Sequence, residues 1–200
     1  MMPTLKNRLV ILAFGLLLTA CSSPDEAQIK QYLLPYPVNV SSNSTSEKHG
    51  DVYRLKSISV PNYLQKQNII LVNQDGQVYQ ATHHLWAESI ETQLEQNTLT
   101  YLATRLPNVQ WIAPSQYQIT APYLTISLEK FDASQKGHVS IAGYWTLWSQ
   151  DNKLLNQKRF HYSANMGKDG YVAMTETLSK LWYQSVIEGF ISSTFHKKVE

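Results

Sequence analysis

Tyr123-Leu124-Thr125-Ile126-Ser127-Leu128-Glu129-Lys130-Phe131, then Val139-Ser140-Ile141-Ala142-Gly143-Tyr144-Trp145-Thr146-Leu147-Trp148 and the turn Ser149-Gln150-Asp151-Asn152, read as the middle of an antiparallel sheet. Leu124, Ile126 and Leu128 alternate with polar neighbours, within a strand expected over Tyr117 to Phe131. Val139, Ile141, Gly143, Trp145 and Leu147 form one face of the next strand, and Tyr144, Thr146 and Trp148 the other. A period of two marks a strand with one face on a core. The turn residues then predict a hairpin, with Leu154 to Ala164 pairing back.

Helical and strand patterns flank this hairpin on both sides. After the loop Met166-Gly167-Lys168-Asp169-Gly170, a helix is expected from Tyr171 to Phe195, with Met174, Leu178, Leu181, Trp182 and Ser185 on one stripe. Before it, Trp86, Ile90, Leu94, Tyr101 and Leu102 recur at helical spacing, so a helix is expected from His84 to Leu106, ended by Pro107. Val109 to Ile112 reads as a short strand. Val52 to Val60 reads as a strand stopped by Pro61, with Val52, Arg54, Lys56 and Ile58 on one side. Asn68-Ile69-Ile70-Leu71-Val72 and Gln77 to Thr82 form a second hairpin around Asn73-Gln74-Asp75-Gly76. Ile29 to Val40 carries a short edge strand that Pro35 and Pro37 end. Ser41 to Gly50 is a polar loop. Strands, helix, strands, helix give an α/β (α+β-like) class: one domain over 32–195, a mixed and mostly antiparallel sheet, and two main helices. Residues 196–200 are a tail.

The N-terminus is of a different kind. Lys6 and Arg8 precede an apolar run from Leu9 to Leu18, which is shorter than the ~20 residues a spanning helix needs. A basic start, a short apolar run and small residues at its end describe an export signal. Leu18-Thr19-Ala20-Cys21 resembles the lipobox of bacterial lipoproteins, and Cys21 is the single cysteine of the chain. Residues 1–20 are therefore expected to be a signal peptide and 21–31 a tether. The lipoprotein resemblance implies a diacylglycerol thioether on Cys21 and an acyl chain, such as palmitate, on its freed amine. Ser22, rather than Asp, follows the cysteine and points to the outer membrane, facing the periplasm.

Composition narrows the function classes. Removing Lys6 and Arg8 with the leader leaves 15 of 17 basic residues against 15 acidic ones, so the mature chain is formally neutral and offers no basic stripe for nucleic acid. Twelve tyrosines and five tryptophans stand among only 16% charged residues. The Gly167-Lys168-Asp169-Gly170 segment lacks the spacing of a phosphate-binding loop. His83 and His84 are adjacent, a spacing that chelates one metal poorly. No G-x-S-x-G turn precedes a helix. The expectation is a protein that is not an enzyme, with no metal site and no cofactor beyond the lipid on Cys21.

Several segments, in order, carry a family resemblance: Ile58-Ser59-Val60-Pro61-Asn62-Tyr63-Leu64, Tyr79, Trp86-Ala87-Glu88, Ile126 to Phe131, and Val139 to Leu147. Together, from Tyr32 to Ser193 and with the lipobox in front, they look like the ABC-type transport auxiliary lipoproteins, the PqiC/YmbA family. That resemblance implies an outer-membrane lipoprotein of an MCE-type lipid transport system. Such a protein docks on or caps a PqiB-like tunnel protein, supports membrane integrity and forms a homo-oligomeric ring. The rival from another class is an envelope assembly or structural lipoprotein with no transport role. If lipid or partner meets this domain on an apolar surface outside the core, the alternation nominates the strand face with Tyr144, Thr146 and Trp148, beside Tyr123.

Overall fold

The computed structural model describes residues 28–37, 50–116 and 118–195. The lipobox residues Leu18, Thr19, Ala20 and Cys21, most of the polar loop after Val40 and the tail 196–200 lie outside the described residues.

Eight strands form one mixed sheet: β1 (Lys30–Tyr32), β2 (Val52–Ser59), β3 (Asn68–Val72), β4 (Val78–Trp86), β5 (Gln110–Ile112), β6 (Tyr123–Ala133), β7 (His138–Trp148) and β8 (Leu154–Asn165). A 3-10 turn, Asn62–Leu64, follows Pro61. Helix α1 (Ile90–Arg105) lies between β4 and β5. The chain closes with α2 (Tyr171–Leu181), a π-helical stretch Trp182–Ile187 and α3 (Glu188–Phe195), which continue one another. β6 is central. It pairs in parallel with β2 along its first half and with β3 at Ala133, and antiparallel with β7 along its length. β7 pairs antiparallel with β8, and β3 with β4. The short parallel pairs β1–β4 and β2–β5 complete the sheet. The long registers are antiparallel, as the alternation implies.

Both helical elements cover one face. Leu124, Ile126, Leu128, Val139, Ile141, Trp145, Leu147 and Phe160 from the sheet are buried against Leu94, Leu102, Leu178, Trp182, Val186 and Phe190 from the helices. Gly143 sits on that face, opposite Leu128 and Phe160. A Cβ there would stand 2.2 Å from the Ser127 carbonyl oxygen, so only glycine lets β6 and β7 approach beside the bulge at Leu128/Lys130.

The segment after β1 is strapped across the helices. Leu34 is buried, its N–H donates to Gln93 Oε1 at 2.6 Å, and Asn97 Nδ2 donates to its carbonyl at 3.4 Å. Ser179 Oγ donates to the Pro35 carbonyl at 2.6 Å, and the Tyr36 ring meets Tyr101 and Tyr183 edge-on. The N-terminal end of the domain is thus fixed to both helices at once.

Four expectations change. His84, Leu85 and Trp86 belong to β4, not to a helix: β4 runs on to pair with β1, and α1 begins only after Ser89, whose Oγ accepts the Thr92 N–H at 3.1 Å. A hydroxyl at that position satisfies one of the free N–H groups of the first turn. β6 starts at Tyr123, since residues 118–122 are not in the strand. In β2 a bulge between Leu55 and Ser57 puts Leu55 and Ile58 both on the core and turns Arg54 and Lys56 away from it, so Ile58 does not share their side. The C-terminal stripe shifts at the π-helical stretch. Tyr183, Val186, Ile187, Phe190 and Ile191 are buried with Trp182, while Ser185 is only half-buried. Each π turn adds a residue and rotates the later part of the helix about its axis.

Candidate functional site

The sheet face away from the helices carries the aromatic residues singled out by alternation. Tyr123 and Trp148 are register partners on β6 and β7, and their rings stack with centroids 6.2 Å apart and planes at 21°. Trp148 donates its indole N–H to Thr125 Oγ1 at 3.2 Å, and Gln157 Nε2 donates to Thr146 Oγ1 at 3.0 Å. Tyr123 is buried, while Trp148 and Tyr144 are half-buried. Tyr144 stands four residues along the same face, between its register partners Ser127 and Arg159. Four residues of strand span about 13 Å, so Tyr144 is a neighbour of the stack and not a member of it. Beside it Arg159 forms an exposed ion pair with Glu129 at 2.6 Å, a kind of contact that contributes at most about 1 kcal/mol.

Three residues that the sequence did not nominate complete the cluster. Lys56 Nζ lies 4.5 Å from the Tyr123 ring centroid, and the Arg54 guanidinium 5.4 Å from it. Cations at this range are drawn to the ring face by its quadrupole. The Tyr123 hydroxyl donates to Asn152 Oδ1 at 2.9 Å. Asn152 is the residue with φ of +59° in the β7–β8 turn, where Asn tolerates the left-handed conformation. The turn is held by Ser149, whose Oγ accepts the N–H groups of Asp151 and Lys153. Ile112, Ala121 and Tyr123 are buried yet stand outside the main core cluster, and Ile112 on β5 and Tyr123 on β6 are both register partners of Arg54 on β2. The result is an aromatic surface that carries two positive charges at its β2 edge. It combines apolar, cationic and hydrogen-bonding side chains on one face of the sheet.

Asp132 lies further along β6 and is buried, accepting the Tyr63 hydroxyl at 3.0 Å with Lys130 Nζ at 3.7 Å. Burial raises its carboxyl above the ordinary carboxylate range, and Lys130 and the hydrogen bonds pull only partly back. A raised folded-state value means that the contribution to stability is full below the unfolded value of about 3.9 and is lost as pH rises through the folded value. Asp132→Asn keeps an oxygen for the Tyr63 hydroxyl and removes the charge. The variant should match or exceed the wild-type melting temperature at pH 7, and the difference should shrink toward pH 4. Thermal melts at the two pH values check this; a variant less stable at pH 7 contradicts it.

At the opposite edge, Tyr32, His84 and Tyr171 form a second cluster. The Tyr32 hydroxyl is 2.8 Å from His84 Nδ1, and the His84 and Tyr171 rings stack at 3.9 Å. Burial, with Lys30 and His83 nearby, lowers the His84 pKa, so the ring is neutral at physiological pH. His84 is thus placed between the Tyr32 and Tyr171 rings, and among the described residues no group of three or more His, Cys, Asp or Glu side chains gathers that could hold a metal ion.

Known proteins share this architecture. A crystal structure of an uncharacterized protein superposes with a TM-score of 0.69, covering 82% of this chain and 96% of that one at 24% identity. A protein from Xanthomonas campestris superposes at 0.64, covering 80% and 92% at 13% identity. At these identities the likeness concerns the fold. In sequence, the intermembrane transport lipoprotein PqiC of Escherichia coli K12 is 29% identical over 181 residues, 90% of this chain and 93% of that protein, and its Shigella flexneri counterpart matches equally. The model of the ABC-type transport auxiliary lipoprotein component family matches residues 32–187, from the end of β1 into the π-helical stretch. With β2 to β8, the strap, α1 and α2 inside that match, the chain belongs to the ABC-type transport auxiliary lipoprotein family.

Proposed function

We propose that this protein is a lipid-anchored auxiliary component of an MCE-type intermembrane lipid transport system. It is held on the periplasmic side of the outer membrane by acyl chains on Cys21, with its domain docking on or capping the tunnel protein. The observation that carries this reading is the family match over residues 32–187 behind a lipobox at Leu18–Cys21. Tethering suits docking: a domain confined to the membrane surface meets a partner there at a high effective concentration. The homo-oligomeric ring implied by the family would repeat the docking surface around the tunnel end.

The Tyr123–Trp148 cluster, with Tyr144 beside it, is the surface we assign to partner or lipid. Its supports are its place outside the main core and the cations at its edge. Trp148→Glu tests it. Trp148 is half-buried and stands outside the main core cluster, so the fold should persist at a cost of about 1–2 kcal/mol for the lost stacking and hydrogen bond. In a strain lacking the protein, detergent sensitivity should rise. Wild type should restore resistance, and Trp148→Glu should fail to do so while remaining in the membrane fraction. Full rescue by the variant would remove this face from the account.

A further inference from the structure

We infer that the β1 rim of the domain lies on the membrane that carries its anchor, with Ile29, Leu33 and Val172 as the apolar contacts. The inference rests on the reading of Cys21 as the lipidated residue. Among the described residues, seven large apolar side chains are exposed, and three of them border this one rim. Ile29 and Leu33 flank β1, at 64% and 62% exposure, and Val172 opens α2 at 60%. Tyr171, next to Val172, has its ring 5.9 Å from that of Tyr32, which is next to Leu33. Ile29 and Leu33 thus bracket β1, whose pairing with β4 leaves its other edge open. A cleft of about 240 Å³ adjoins Tyr171, lined by Leu71, Met166 and Met174 together with Ser134, Gln135 and Asp169. Lys30 and His83 are exposed at the same rim, where lipid phosphates would meet them.

Chain length decides which edge meets the bilayer. Ile29 is eight Cα–Cα steps from Cys21, which reach at most about 29 Å when fully extended. β8 is five strands away from β1 across the sheet, by way of β4, β3, β6 and β7, which is about 24 Å at ordinary strand spacing. For β8 to face the bilayer with β1 turned away from it, the tether would have to stand nearly straight; any shorter conformation keeps β1 at the surface. The strap formed by Leu34, Pro35 and Tyr36 fixes this rim to both helices, so the tether positions the whole domain and not a loose end. Leu154 and Leu155, exposed on β8, stay away from lipid and serve as the control.

The test uses the full lipoprotein in vesicles of phosphatidylethanolamine and phosphatidylglycerol, part of them with brominated acyl chains. The Cys21 sulfur is blocked by its thioether, so one introduced cysteine takes a polarity-sensitive fluorophore selectively. Leu33→Cys and Val172→Cys should give blue-shifted emission and severalfold stronger quenching by bromine than Leu155→Cys. Adding Ile29→Glu should cut quenching at position 172 severalfold. Equal quenching at all three sites, or none at 33 and 172 while the protein floats with the vesicles, overturns the rim contact and leaves the anchor standing. Failure of the lipoprotein to float overturns the anchor, and the rim contact with it.

Discussion

Gly143→Ala should destabilise the domain by roughly 3 kcal/mol, the upper range for overpacking a well-filled core. The added methyl would stand 2.2 Å from the Ser127 carbonyl oxygen and 3.0 Å from the Leu128 Cα, both backbone atoms that no rotamer can move. Relief requires β6 and β7 to separate at the middle of the sheet, next to the bulge that already bends β6. Trp145, two residues on, packs edge-on against Phe190 of α3 at 5.2 Å, so a displaced β7 also loosens the C-terminal helix. Urea unfolding of the two proteins measures the difference at the midpoint. A loss below about 1 kcal/mol, the ordinary size of a point substitution of any kind, would contradict this account of the central strand pair.

Replacing residues 1–21 by a cleavable export signal without cysteine should have the largest functional effect. The anchor proposed on Cys21 carries several acyl chains, each buried methylene contributing about 0.8 kcal/mol, whereas one chain holds only marginally. Without it the domain should move from the membrane to the soluble periplasmic fraction. Its engagement of a membrane-bound partner should fall by about a hundredfold or more, the gain that confinement ordinarily supplies. Binding of the isolated domain to the isolated partner should be unchanged, because the cut removes no residue of the folded domain. Fractionation and detergent sensitivity check the two halves. Retention in the membrane fraction would mean that something other than Cys21 holds the protein there.

The central sheet was legible because alternation is local: β6 and β7 follow from runs in which every second residue is apolar, and β8 from the turn residues that precede it. The other face of the same runs named Tyr123, Tyr144 and Trp148, and the register does bring Tyr123 and Trp148 together. Their companions were not legible. Lys56 reaches Tyr123 because β2 pairs in parallel with β6, Arg54 opposite Tyr123, and Asn152 because the β7–β8 turn lies beside the start of β6; neither pairing shows in the spacing of either segment. Trp86 was misplaced for a related reason. Its spacing to Ile90 and Leu94 fits a helix, but pairing with β1, 54 residues earlier, holds it in a strand. Ser89 carried the correcting signal, as a hydroxyl just before Ile90. The π-helical stretch has no mark in Trp182 to Ile187 that periodicity reads; the shift appears only as a change in which later residues are buried.

The most direct measurement of the central claim is the set of proteins that accompanies the full lipoprotein when it is purified, at native expression, from gently solubilised and crosslinked membranes. The account predicts that an MCE-domain tunnel protein is recovered in fixed proportion, and that the proportion drops when the leader and Cys21 are replaced. Recovery of envelope assembly machinery alone, with no MCE-domain protein in either sample, would contradict it.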